Sequence, residues 1–264
     1  MRKYELALMS YREIEAVDRE QAVVLLPVGC VEQHGPCGLT GADTLLAERW
    51  CRDVASQGEN TYVAAPIWYG YTPYTAFAGT ITLRLETLKA VVQDVVDGLI
   101  SHGFKHIVLV NNHGPNEAAL EQVAAQVRRE HSITLGLLYP WRLAMHLCPD
   151  LYEDYKAVAG HGGEPTISVM MALAPGMVDL THTAPRGYVR EQGPFYALNY
   201  KAARFEGFEV GVYWSAEEVL PGGTSGDWRP ATQERGEEIL RRMAAYGLKF
   251  IPAFRTWSQG RAAK

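Results

Sequence analysis

The sequence predicts an α/β fold, a three-layer α/β/α sandwich with a mostly parallel central sheet. Three observations lead there. Short apolar runs alternate with longer amphipathic segments, as strands alternate with crossover helices. The run AVVLLPVG (22–29) is nearly continuously apolar, the pattern of a strand covered on both faces. The 25 Gly and 14 Pro mark many connections between short elements.

After the first strand, Asp43 and Thr44 introduce TLLAERWCRDVASQG, in which Leu45, Leu46, Arg49, Trp50 and Val54 fall at helical spacing up to Gly58. TYVAAPIWYG reads as a second strand. ETLKAVVQDVVDGLISHG is amphipathic and closes at Gly103, and KHIVLVNNHG is a third strand that runs directly into a polar loop. NEAALEQVAAQVRREH is a helix, SITLGLLYPW a fourth strand, and EPTISVMMALAP a helix stopped by Pro175. Residues 181–229, rich in Tyr, Gly and Pro, read as irregular loops over a site, and ATQERGEEILRRMAAYGLKFI as a closing helix. With no repeat and no linker, residues 1–264 form one expected domain.

A net charge of −5 without a Lys/Arg cluster argues against a nucleic-acid partner. No apolar run reaches about 18 residues and MRKYELALMSYREIE lacks a signal-peptide core, so no membrane partner and a cytoplasmic location are expected. Cys30, Cys37, Cys51 and Cys148 lack CxxC spacing and read as reduced thiols.

In open α/β sheets, ligands bind beyond the carboxyl ends of the strands. Strand one enters GCVEQHG and strand three enters NNHGPN, so the two polar clusters should meet. Glu32 and His34, two apart in a Gly/Pro-shaped segment, point to the same side of extended backbone. Asp43 follows at a helix N-terminus, His113 after strand three, and Glu164 after HGG. Taken singly, Asp43 is an N-cap, Glu164 a first-turn residue and each His a satisfied polar group. Together they are a metal ligand set suited to Zn, Mn or Fe, with one carboxylate able to bridge a pair of ions.

Three carboxylates against two divalent ions leave one positive charge, which a bridging hydroxide would neutralise. Metal lowers the pKa of bound water from about 15.7 toward about 7, so the implied chemistry is hydrolysis. A single ion held by three or four of these groups fits the same spacing. His161 is a candidate proton donor or acceptor beside the set.

VGCVEQHGPCGLTGADTLLAE, FAGTITL, NNHGPN, AGHGGEPTIS and GGTSGDWRPATQERGEE resemble, in order and spacing, the signatures of the creatininase (creatinine amidohydrolase) family. The resemblance implies an α/β/α sandwich, two divalent metal ions per chain, hydrolysis of a C–N bond, and a homo-oligomer, commonly a hexamer. Glu32, His34, Asp43, His113 and Glu164 match the family's metal ligands, with Asp43 as the bridge, and His161 matches a catalytic histidine.

The chain also departs from the family. Cys37 stands where many members have His, Thr166 replaces a carboxylate, and Pro115 stands where creatininase has a metal-binding Glu. The usual Glu-His pair before the PGT motif is replaced by YGYTPYTAFAGT, so Tyr69, Tyr71 and Tyr74, with Trp228, are expected to border a small-molecule substrate. The expected reaction is hydrolysis of a small cyclic amide or related ring. Opening of an inositol-derived carbocyclic ketone, deformylation, small-peptide cleavage and non-catalytic ligand binding are the alternatives. A Rossmann-type nucleotide site is set aside, because GCVEQHG lacks GxGxxG.

Overall fold

The computed structural model describes residues 3–262, so positions 1–2 and 263–264 of the expected domain lie outside the described residues. A short helix α1 (Tyr11–Glu15) is capped by Ser10, whose hydroxyl accepts from the Glu13 N–H while the Glu13 carboxylate accepts from the Ser10 N–H. The sheet and its covering helices follow as β1 (Val23–Val28), α2 (Ala42–Gln57), β2 (Thr61–Val63), α3 (Leu85–Ser101), β3 (His106–Asn111), α4 (Glu117–His131) and β4 (Gly136–Leu138). The four strands are parallel in the order β2-β1-β3-β4. Helices cover both faces, as expected.

Alternation along β1 divides the core in two. Val23 and Leu25 pack with Leu46, Trp50 and Val54 of α2 on one face. Val24, Leu26 and Val28 pack with Leu88, Val92 and Val96 of α3 and with Leu120 and Val123 of α4 on the other. Both sets are fully buried, which is why the strand reads as a continuous apolar run. Leu25→Ala would cost about 2–5 kcal/mol, the usual range for a truncated core leucine.

Two expected strands are shorter in the structure. The second keeps only Thr61–Val63 of 61–70, and the fourth only Gly136–Leu138 of 132–141. In the latter, Pro140 sits at the first position of helix α5 (Pro140–Leu147), where its missing N–H costs nothing. Helices α6 (Tyr155–Val158) and α7 (Thr166–Leu173) follow.

Residues 181–229 are a correction. They contain β5 (Glu191–Gln192), β6 (Phe195–Asn199), β7 (Ala202–Phe205) and β8 (Phe208–Gly211), an antiparallel sheet in chain order, followed by α8 (Ala216–Val219). These strands are short and bury only Ala197 and Ala203, so no apolar alternation betrays them. The closing helix α9 (Gln233–Ala262) runs past Pro252, beyond the expected end at 251. Among the described residues, no helix is long and apolar enough to cross a membrane.

Candidate metal centre

Because β2 lies outside β1 and β4 outside β3, the order of strand addition reverses between β1 and β3. Loops leaving such a pair diverge and open a crevice at the carboxyl ends. The register pairs Val28 with Asn111, and the Asn112 N–H donates to the Val28 carbonyl at 3.0 Å. The two polar loops therefore begin side by side.

Asparagines fix the second loop to the rest. Asn116 donates to the Gly29 carbonyl at 2.9 Å and Asn112 to the Asp43 carbonyl at 3.1 Å, while Asn111 donates to the His113 carbonyl at 2.7 Å. Gly29 brings the first turn of α2 close. A Cβ there would lie 2.2 Å from Thr44 Oγ1 and 2.5 Å from the Thr44 backbone nitrogen.

The approach delivers Asp43 into a cluster. Cys30, Glu32, Asp43 and His113 each offer a donor atom within 4.8 Å of the others, and Glu32, His34 and His161 form a second such group sharing Glu32. Asp43 links them. Its Oδ1 lies 3.2 Å from His34 Nε2, and its Oδ2 lies 3.1 Å from His113 Nδ1 and accepts from Cys30 Sγ at 3.0 Å.

The two inner histidines are oriented from behind. His34 Nδ1 lies 3.0 Å from the Glu32 carbonyl and His113 Nε2 lies 3.1 Å from the Tyr71 carbonyl. A carbonyl only accepts, so each of these nitrogens carries a proton and each opposite nitrogen points a lone pair inward.

That lone pair meets carboxylate oxygen, including Glu32 Oε2 at 3.3 Å from His113 Nδ1. Two electron-rich atoms at this distance need a proton or a cation between them. Burial disfavours charge on both imidazoles, yet Asp43 and Glu32 outweigh it and raise their pKa values. Burial likewise opposes charge on Asp43, and His34 and His113 overcome it and hold its carboxyl far below the usual range. With Glu32 at 7 % and Asp43 at 2 % exposure, this nitrogen and oxygen set fits a divalent cation.

His161 stacks on His34 with ring centroids 4.8 Å apart, and its Nε2 lies 2.9 Å from the Gln33 carbonyl. Burial and the neighbouring His34 push its pKa down, so it stands neutral near pH 7. Glu164 is not brought to the others. Its oxygens accept from Ser168 at 2.7 Å and Tyr152 at 2.8 Å, and it joins neither donor group.

The cavity over the cluster, about 190 Å³, is walled beside the donors by Pro115, Trp141, Met145, Thr166 and Tyr200. Tyr69, Tyr71, Tyr74 and Trp228 are not in its wall. Tyr69 is 46 % exposed, and Trp228 is buried with Ile167 and Met170. Tyr71 contributes its carbonyl to His113, and the Tyr74 ring packs tilted against Tyr200 with centroids 5.3 Å apart.

Sequence reasoning passed over Thr75, Cys30 and Tyr200 here, and read Trp141 as a pocket-lining ring rather than as a partner of Asp43. The Trp141 indole donates to Asp43 Oδ1 at 2.5 Å, Thr75 donates to Glu32 Oε1 at 3.2 Å, Cys30 donates to Asp43, and Tyr200 enters from the β6–β7 turn. Only Cys30, two residues before Glu32 on the same extended segment, had a signal: the spacing that singled out Glu32 and His34.

A parallel sheet flanked by helices carries at its switch point a buried cluster able to hold a divalent cation, an arrangement that suits a metal-dependent hydrolase of the α/β class. Residues 7–251 match the creatininase (creatinine amidohydrolase) family, and the chain belongs to it. It is 28% identical over 251 residues to the creatinine amidohydrolase of Pseudomonas putida, covering 88% of this chain and 90% of the relative. To the 3-dehydro-scyllo-inosose hydrolase of Thermotoga maritima it is 36% identical over 197 residues, which is 69% of this chain and 61% of that protein. Among solved structures, an E122Q creatininase variant of Zn-Zn type superposes with a TM-score of 0.74 at 26% identity, covering 98% and 99% of the two chains.

Proposed function

We propose that this protein hydrolyses a C–N bond in a small cyclic amide or related ring, using Zn, Mn or Fe held by Glu32, Asp43, His113 and His34. The convergence of these four buried side chains on one cavity carries the reading. A bound divalent ion supplies Lewis acidity and makes water a nucleophile near neutral pH.

The chain's own groups do the rest. Trp141 and Cys30 each donate to one oxygen of Asp43 and hold its carboxylate plane. His161, neutral and fixed by the Gln33 carbonyl, takes up a proton and returns it to the leaving nitrogen. Met145, Trp141 and Tyr200 border the cavity, whose volume of about 190 Å³ suits a small molecule.

Opening of a carbocyclic ketone is the second reading, favoured by the higher identity to the inosose hydrolase. Metal-loaded protein, with and without chelator, should be assayed on cyclic amides, cyclic ketones, formamides and short peptides. Chelator-sensitive turnover of an amide alone supports the first reading, and of a ketone alone the second. No turnover of any class defeats both.

A homo-oligomer in the cytoplasm completes the proposal. Exposed Phe208 and Tyr213 on and beside the antiparallel sheet support association, which light scattering on the purified protein tests.

A further inference from the structure

We infer that the centre holds one tightly bound divalent ion per chain, not two, and that Thr166 and Pro115 are the positions that deny the second. The inference rests on the metal-dependent reading above.

The anions at the cavity are too few for two ions. Glu32 and Asp43 are the carboxylates of the two donor groups, and both belong to the group that contains His113 and Cys30. The other group keeps only Glu32, already shared, beside two imidazoles. Two carboxylates balance one divalent ion. A second ion would leave two positive charges uncompensated among buried donors, beside His34, His113 and His161.

A third anion is missing for a geometric reason. The Glu164 carboxylate is fully buried and turned to Ser168 and Tyr152, with the Arg235 guanidinium at 3.8 Å. The Cys30 thiol is committed as a donor to Asp43 Oδ2. Besides Asn112 and Gly114, which carry no charge, the β3 loop lines the cavity with Pro115, and the start of α7 lines it with Thr166. Proline brings no side-chain donor, and threonine only a neutral hydroxyl. The group with both carboxylates is therefore the one that keeps its ion.

Metal content per chain by elemental mass spectrometry tests this, with electron paramagnetic resonance of the Mn-loaded protein to separate an isolated ion from a coupled pair. Wild-type protein should hold one equivalent and give the spectrum of an isolated ion. Thr166→Glu should raise the content to two and give a coupled spectrum, and Pro115→Glu serves if the first variant does not fold. Two tight equivalents in wild-type protein would overturn this inference and leave the hydrolase reading standing. A folded carboxylate variant that stays at one equivalent would overturn the role given to that position. No ion at all would overturn both the inference and the reading.

Discussion

The Trp141 indole and His34 converge on the same oxygen of Asp43: Nε1–H donates to Oδ1 at 2.5 Å and His34 Nε2 lies 3.2 Å from that atom. The indole comes from α5, whose start is tied to the cluster by the Trp141 N–H bond to Asn112 Oδ1 at 2.8 Å. A hydrogen-bond donor behind a ligating carboxylate sets its orientation and tunes its basicity. Trp141→Phe keeps the packing and removes the donor. It should weaken metal affinity by about 10–100-fold, the usual cost of losing such a partner, as read by competition with a chromophoric chelator.

His161→Ala should separate chemistry from metal binding. The ring stacks on His34 and contacts Gln33 without being one of the Cys30, Glu32, Asp43 and His113 group. Metal content should stay at the wild-type level while turnover falls by about 10²–10⁴-fold, the range for removing a general acid–base. Loss of the ion with the ring would show that His161 is a ligand instead.

Glu164 and His113 give opposite expectations. His113→Ala removes a nitrogen that faces both Glu32 and Asp43, so the protein should be isolated nearly metal-free. Glu164→Gln should keep its metal, because the native carboxylate is spent on Ser168 and Tyr152. Burial raises the Glu164 pKa, so the folded state holds its proton more tightly than the unfolded state does. The resulting cost is absent below the unfolded value and grows as pH rises, and Glu164→Gln removes it. The variant should lose less stability than wild type as pH rises from about 4.5 toward neutrality, measured by urea midpoints.

A pH signature far from the cavity comes from His106. It is buried at the start of β3, with Nδ1 at 2.7 Å from the Ser258 hydroxyl and Nε2 at 3.2 Å from the Glu20 carbonyl. Burial lowers its pKa below the ordinary 6.5, so on acidification the unfolded state takes up the proton first. Stability should therefore fall as pH drops below about 6.5 and level off below the folded value. His106→Gln should flatten that part of the curve relative to wild type.

What the sequence made legible follows from what each element buries. β1 and β3 are apolar throughout because both faces are covered, and their polar exits were readable as a site. The antiparallel sheet was not readable, since its strands are short and bury only Ala197 and Ala203. One local signal was present: Glu206-Gly207, both at positive φ, closes the β7–β8 hairpin between Phe205 and Phe208. Glu164 looked like a ligand because it follows HGG, but position along a loop does not fix side-chain direction. The hydroxyls of Ser168, one helical turn on, and of Tyr152 claim it instead. Trp141 lies 98 residues from Asp43 in the chain, a separation that no local pattern bridges.

The tip of the β6–β7 hairpin puts Tyr200 against the cavity, while the clustered groups able to hold a cation all come from loops and helix starts around the parallel sheet. Anchorage and admission are thus written in separate stretches of chain. Mutational drift in the hairpin can reshape the opening without disturbing the charged floor. A lineage can therefore explore new substrates at this edge while the reactive centre beneath stays constant.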